Sequence, residues 1–208
     1  LLRAKELLVW FFVEPFEGGQ RIAVQAVFRK DRPHEVALCV HALPRSSPFD
    51  ACILTATMGN YARLRRLHLA GADVTAGQLW PAYREAHFTP HAEFPLARLL
   101  RDRHGDVIVA AAPDEPEPTA AAYDRNVAPW WRYRGASAVQ FWRVPQAQAV
   151  PKLVARVNGR AMYWQSTAPL PGGVAFENFE LQAPYAKGQE FIFGVEPQPD
   201  GGAWPKGF

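Results

Sequence analysis

Short runs of alternating apolar and polar residues fill most of this chain, broken by Gly, Pro and Asn roughly every 8–12 positions. Alternation with period two belongs to strands, because successive side chains point to opposite faces. Almost no segment repeats at the helical period. The pattern predicts an all-β fold, an antiparallel β-sandwich of jelly-roll-like kind, with a lipocalin-like β-barrel as the alternative.

In chain order, Glu6–Phe16 is apolar on both alternating sets, which predicts a strand buried on both sides in the middle of the sandwich. Gln20–Lys30 alternates as a half-buried strand should. Glu35–Ala42 and Ala51–Thr57 follow. Tyr61–Leu69 reads as a strand, with a helix competing because Leu, Arg and Ala favour helices. Residues 81–100 read as a long irregular loop carrying Pro81, Pro90 and Pro95, with a helical turn at Leu96–Arg101. Asp102–Ala111 returns to strand, and Pro113–Ala122 is an acidic, Pro-rich connector. Six further strands are expected at Trp130–Tyr133, Ala138–Val144, Leu153–Val157, Ala161–Ser166, Val174–Gln182 and Glu190–Val195. Asn158-Gly159 reads as a hairpin turn. Pro15 to Ile22 and Pro184 to Phe191 share the pattern Pro-aromatic-x-x-Gly-Gln-x-apolar, as if one kind of strand connection were used twice. The expected organisation is one domain over residues 1–197 and a flexible tail over 198–208.

The 208 residues suffice to bury about 70% of the unfolded surface. Net charge is +3, and no Lys/Arg run exceeds a pair, which argues against a nucleic-acid partner. No apolar run approaches the ~20 residues of a membrane helix. The chain starts without Met on strand material, so we expect a leader or upstream segment. A secreted or periplasmic setting is favoured over a cytoplasmic one. Oligomeric state is not legible. If VALCVHA and DACILTA pair around the turn between them, Cys39 faces Cys52 and a disulfide is geometrically possible. Two buried free thiols are the preferred reading, because a shift of one residue destroys the pairing.

The stretch from Asp50 to Trp80 concentrates the groups able to hold an anion. Tyr61, Arg63 and Arg65 would project from one strand face, and Arg binds planar carboxylates through two parallel hydrogen bonds. His87 and His91 are four apart, but Pro90 argues against a helical metal pair, so no metal is expected. His91 is a candidate donor or general base. Trp80, Trp142 and Trp164 are candidate sugar-stacking rings, and Gln140 shares a face with Trp142. In FENFE, Glu177 falls on an apolar face with Ala175, Phe179 and Leu181, where an Arg of the RLRR strand would be its partner. Asn178 and Glu180 share the other face.

No phosphate loop, nucleophile elbow or Ser–His–Asp signature is present, and no cofactor is expected. The leading expectation is a sandwich that binds carbohydrate, an acidic polysaccharide in particular. Trp142 and Trp164 would stack, and Arg63, Arg65 and Asn178 would bind polar groups. An alternative is a polysaccharide lyase using Tyr61 and His91 for proton transfer, with Arg63, Arg65 and Gln140 neutralising a uronate. A third is a lipocalin-like binder of an apolar small molecule.

Overall fold

The alternating segments form strands, and the strands form two antiparallel sheets packed as a β-sandwich. The computed structural model describes residues 5–57, 64–84, 89–114, 128–131, 137–162, 169–170 and 172–197. The larger sheet runs β1 (Glu6–Phe12), β2 (Ile22–Arg29), β3 (Arg32–Ala42), β13 (Glu190–Pro197), β10 (Ala138–Val144), β9 (Val107–Pro113), β5 (Leu64–His68), β6 (Val74–Thr75). A ninth strand, β8 (Leu100–Arg101), also pairs with β9. The smaller sheet runs β4 (Ala51–Thr57), β12 (Ala175–Pro184), β11 (Val154–Arg160), β7 (His91–Pro95). One short helix, α1 (Ala76–Leu79), follows β6. The sheets do not close into a barrel, which removes the lipocalin-like architecture. Among the described residues, no helix is long and apolar enough to cross a membrane.

The main core lies between the sheets. Phe176, Phe179, Leu181 and Val157 of the smaller sheet meet Val109, Ala111, Trp142, Leu67 and Phe191 of the larger. The Trp142 indole N–H donates to the Phe179 carbonyl across the core at 3.0 Å, so the one polar atom of this ring is satisfied inside.

Two β-bulges break the alternation that the sequence suggests. Between β11 and β12, Asn158 pairs with Asn178 but Gly159 pairs with Phe176, leaving Glu177 as an extra residue. Phe176 and Phe179, three apart, therefore both enter the core, and Glu177 does not share a simple face with Ala175, Phe179 and Leu181. Asn158-Gly159 is thus strand interior and no hairpin turn. Gly159 is needed there because an added Cβ would lie 2.4 Å from Cε3 of Trp80. Between β5 and β9, the register shifts between Leu64 and Arg66, so Leu64 and Leu67 both face the core and Arg65 sits at the bulge.

Other expectations are corrected. β1 is the edge strand of its sheet, with Trp10, Phe11 and Phe12 exposed, not a strand buried on both sides. β3 and β4 lie in different sheets, so Cys39 and Cys52 are not opposed; the preferred reading of free thiols holds, with Cys52 buried and Cys39 half-buried. The loop expected over 81–100 contains β7, where Pro95 is tolerated because the strand is at an edge. Asp102–Asp106 is a turn before β9, with the Asp102 carboxylate accepting the N–H groups of His104 and Asp106 at 2.8 and 2.9 Å. Pro129–Trp131 is a single 3-10 turn where a strand was expected. Of Ala161–Ser166, Met162 makes one bridge to Pro169, and residues 163–166 lie outside the described residues. The two Pro-aromatic-x-x-Gly-Gln connections do match: Gly19 and Gly188 take φ of 78° and 77°, the left-handed region that favours glycine.

Candidate functional site

The bulge in β5 makes Arg65 the extra residue between Leu64 and Arg66, which pair with Pro113 and Ala112 of β9. The Arg65 side chain is almost fully buried, and Nη1 pairs with Oδ1 of Asp114 at 3.2 Å. The Gly172 backbone lies directly against the guanidinium, since a Cβ there would be 2.7 Å from Nη2, and Gly172 has φ of 78°. Only glycine permits both the approach and the backbone angle.

Opposite Arg65, α1 orders the next group. Thr75 caps the helix: its Oγ1 accepts the Gln78 N–H at 3.2 Å, and the Gln78 side chain accepts the Thr75 N–H at 2.8 Å. The chain then turns through the Trp80 N–H to the Ala76 carbonyl and the Tyr83 N–H to the Trp80 carbonyl. Trp80 lies over Gly159 and meets Phe176 edge-on, with centroids 5.9 Å apart. Arg84 follows, exposed, and Nη1 donates to the Tyr83 carbonyl at 2.8 Å.

These groups line one cavity of about 470 Å³. Trp80 and Tyr83 form apolar walls, while Arg65, Arg84 and Asp114 supply charge, leaving one excess positive charge in the lining. Gly77 opens onto it, and a Cβ there would meet nothing within 4 Å. A second cavity, of about 220 Å³, is lined by Arg32, Glu35, Arg103, His104 and Arg143. It is smaller than the roughly 300–1,000 Å³ usual for ligand sites, and Glu35 is already engaged by Arg32 and Arg143.

The candidate residues read from the sequence separate into groups. Arg65 and Trp80 share the larger cavity. His91 and Asn178 lie in one cross-strand row with Asn158 and Thr57 on the outer side of the smaller sheet. In the next row, Arg156 stands between Glu93 and Glu180, at 3.2 and 3.9 Å. Glu177 pairs with Arg160 of β11 at 2.8 Å, in place of the expected RLRR partner. Trp142 is a core ring, only 2% exposed, so no sugar can stack on it. Gln140 alternates with Trp142 on the core side of the larger sheet, whereas His91 is on the outer side of the smaller one. The core stands between them, and the proton-transfer set proposed for a lyase does not assemble around His91 and Gln140. Tyr61, Arg63 and Trp164 lie outside the described residues. Among the described residues, no group of three or more His, Cys, Asp or Glu could hold a metal ion. Sequence reasoning missed Tyr83, Arg84 and Asp114 as a set. The Thr75-x-x-Gln78 capping box was the legible signal that the chain turns there.

His68 flanks the site on β5. It is buried, and Nδ1 is 3.1 Å from the Asp73 carboxylate, which also pairs with Arg66 at 3.5 Å. Burial pushes the His68 pKa down, and the Asp73 charge only partly opposes this. A depressed folded pKa means that stability present above the unfolded value, ~6.5, is lost as pH falls through the folded one. The melting temperature is therefore expected to drop on acidification below about pH 6.5, and His68→Gln should flatten that slope in a thermal-shift series.

In comparisons with known proteins, no family model matches the chain, and neither does any curated protein or solved structure.

Proposed function

We propose that this protein binds a carbohydrate carrying an acidic group, in the cavity lined by Arg65 of β5, Gly77 of α1, and Gly172, Gly173 and Val174. The observation that carries the reading is the convergence of Trp80 and Tyr83 with Arg65, Arg84 and Asp114 in one cavity of ligand size. Sugar rings present apolar C–H faces to aromatic walls and hydroxyls to charged groups. Arg65, fixed by Asp114 and Gly172, is preorganised to donate without losing rotamer freedom on binding. Arg84 is exposed and supplies the excess cation that would prefer a carboxylated sugar over a neutral one.

The test is titration with uronate and neutral oligosaccharides, followed by tryptophan fluorescence and calorimetry, in wild type and in Gly77→Leu. Leu at position 77 projects into open cavity space, and in a helix it is favoured over Gly by roughly 0.8 kcal/mol. The variant should keep its melting temperature and bind at least about tenfold more weakly, about 1.4 kcal/mol. Arg84→Ala should reduce the preference for uronates with little effect on neutral sugars. A wild type silent to every sugar removes the proposal. Rising ultraviolet absorbance with a uronate polymer would signal an unsaturated product and make the protein a lyase.

A further inference from the structure

The smaller sheet carries an unsatisfied polar row on the side away from the core. Thr57, Asn178, Asn158 and His91 are direct cross-strand neighbours on β4, β12, β11 and β7. Their sequence neighbours Ala56, Phe179, Val157 and Ala92 pack in the core, so alternation turns the four outward. Gly159, next in β11, faces the other way, onto Trp80 of the cavity. The row and the cavity therefore lie on opposite faces of β11.

Asn158 is only 5% exposed, and its Oδ1 is buried without a hydrogen-bond partner. A buried acceptor left unpaired is destabilising, and native folds keep few of them. Among the described residues, the side chains of Thr57, Asn178 and His91 form no hydrogen bond either. Thr57 and His91 are exposed and Asn178 is half-buried, so the row opens to solvent. The terminal torsion of Asn is broad, and a turn of the Asn158 amide brings Oδ1 to that open side.

The charges beside the row select the occupant. On one side Arg156 stands between Glu93 and Glu180, at 3.2 and 3.9 Å. On the other, Arg160 pairs with Glu177 at 2.8 Å. Both guanidiniums are committed, and three carboxylates face two cations, so an acidic ligand is disfavoured. Hydroxyl, amide and imidazole groups each donate and accept, as sugar hydroxyls do. The strand spacing of about 4.8 Å sets them about one sugar ring apart.

We propose that this row is a second ligand site, for a neutral glycan chain laid across the four strands. It is separate from the cavity and would stand even if the cavity bound nothing.

The test follows the side-chain NMR signals of Asn158, Asn178 and His91 in the full chain during titration with neutral hexasaccharides of glucose, mannose or xylose and with a uronate hexasaccharide. At least one neutral chain should shift all three, and the uronate chain none. The row offers no flat aromatic wall, so the dissociation constant should be on the order of 1 mM. Asn178→Ala and His91→Ala should each raise it about fivefold. Asn158→Leu should abolish the shifts while keeping or raising the melting temperature, because the unpaired acceptor is gone. Gly77→Leu, which fills the cavity, should leave this titration unchanged. Three results overturn the proposal: no neutral chain shifts these signals, the row variants bind as wild type does, or Gly77→Leu abolishes the response and so places the sugar in the cavity. A melting temperature lowered by more than about 5 °C in Asn158→Leu would make the amide a structural group and equally overturn it. So would signals moved by short peptides and by no sugar, which would give the row to a protein partner.

Discussion

Arg143→Ala is expected to lower the unfolding free energy by about 3–5 kcal/mol at neutral pH. The guanidinium is nearly buried on β10, with Nη2 at 2.5 Å from Glu35 of β3 and Nη1 at 3.0 Å from Asp106 before β9. Asp106 in turn accepts the Gln146 N–H at 2.9 Å. Three parts of the larger sheet are tied through one cation. Removing it leaves Glu35 with Arg32 and Asp106 with the Gln146 N–H, each without its buried cation, though the two carboxylates are only 15% and 17% exposed. A buried charge without its partner costs more than the intact pair gained. Glu196 sharpens the prediction. Its pKa is raised, chiefly by burial and then by the nearby Glu35 charge, with His34 and Arg143 pulling it down. Without Arg143 it rises further. A raised folded pKa favours the folded state below the unfolded value and withdraws that support as pH climbs. The penalty of Arg143→Ala should therefore shrink as pH falls toward about 4, as Glu196 protonates and its charge no longer needs Arg143. Urea unfolding at both pH values measures it. A loss under about 1 kcal/mol at neutral pH would mean that water, not Arg143, solvates Glu35 and Asp106.

The sandwich was legible because alternation is a local property. Ala138–Val144 was read with the bounds that β10 has, and Ala51–Thr57 with those of β4. What alternation does not encode is which sheet a strand joins. That is why Cys39 and Cys52 seemed opposed, although β3 and β4 part company into different sheets. It also does not reveal a bulge. One extra residue at Arg65 and one at Glu177 reversed the face assignments on both strands. The candidate cavity depends on the first of these bulges, so simple alternation could not assemble it. Apolar richness misled twice. In Trp142 it meant core where a stacking surface was expected, because the indole N–H found an acceptor inside. In β1 it meant an exposed edge where burial was expected.

Trp80→Ala should cost about 3–5 kcal/mol, the range for emptying a large aromatic site in a core. Trp80 belongs to the main core and is only 8% exposed, yet it also walls the cavity. A loss of sugar binding in that variant would not by itself separate the two roles. The Gly159 contact does. In wild type, Gly159→Ala forces a Cβ to within 2.4 Å of Cε3 and 2.6 Å of Cζ3 of the Trp80 ring, so the indole or the strand must shift. Overpacking of this kind costs about 1–3 kcal/mol. In the Trp80→Ala background the same methyl meets vacated space and should cost little. The two substitutions are therefore expected to be strongly non-additive in a double-mutant cycle read by urea unfolding. With Gly159→Ala alone, sugar binding should weaken as the ring is pushed from its wall position. If the cycle is additive, Trp80 does not rest on the β11 bulge in solution. The cavity then has no fixed aromatic wall, and the case for a sugar there falls with it.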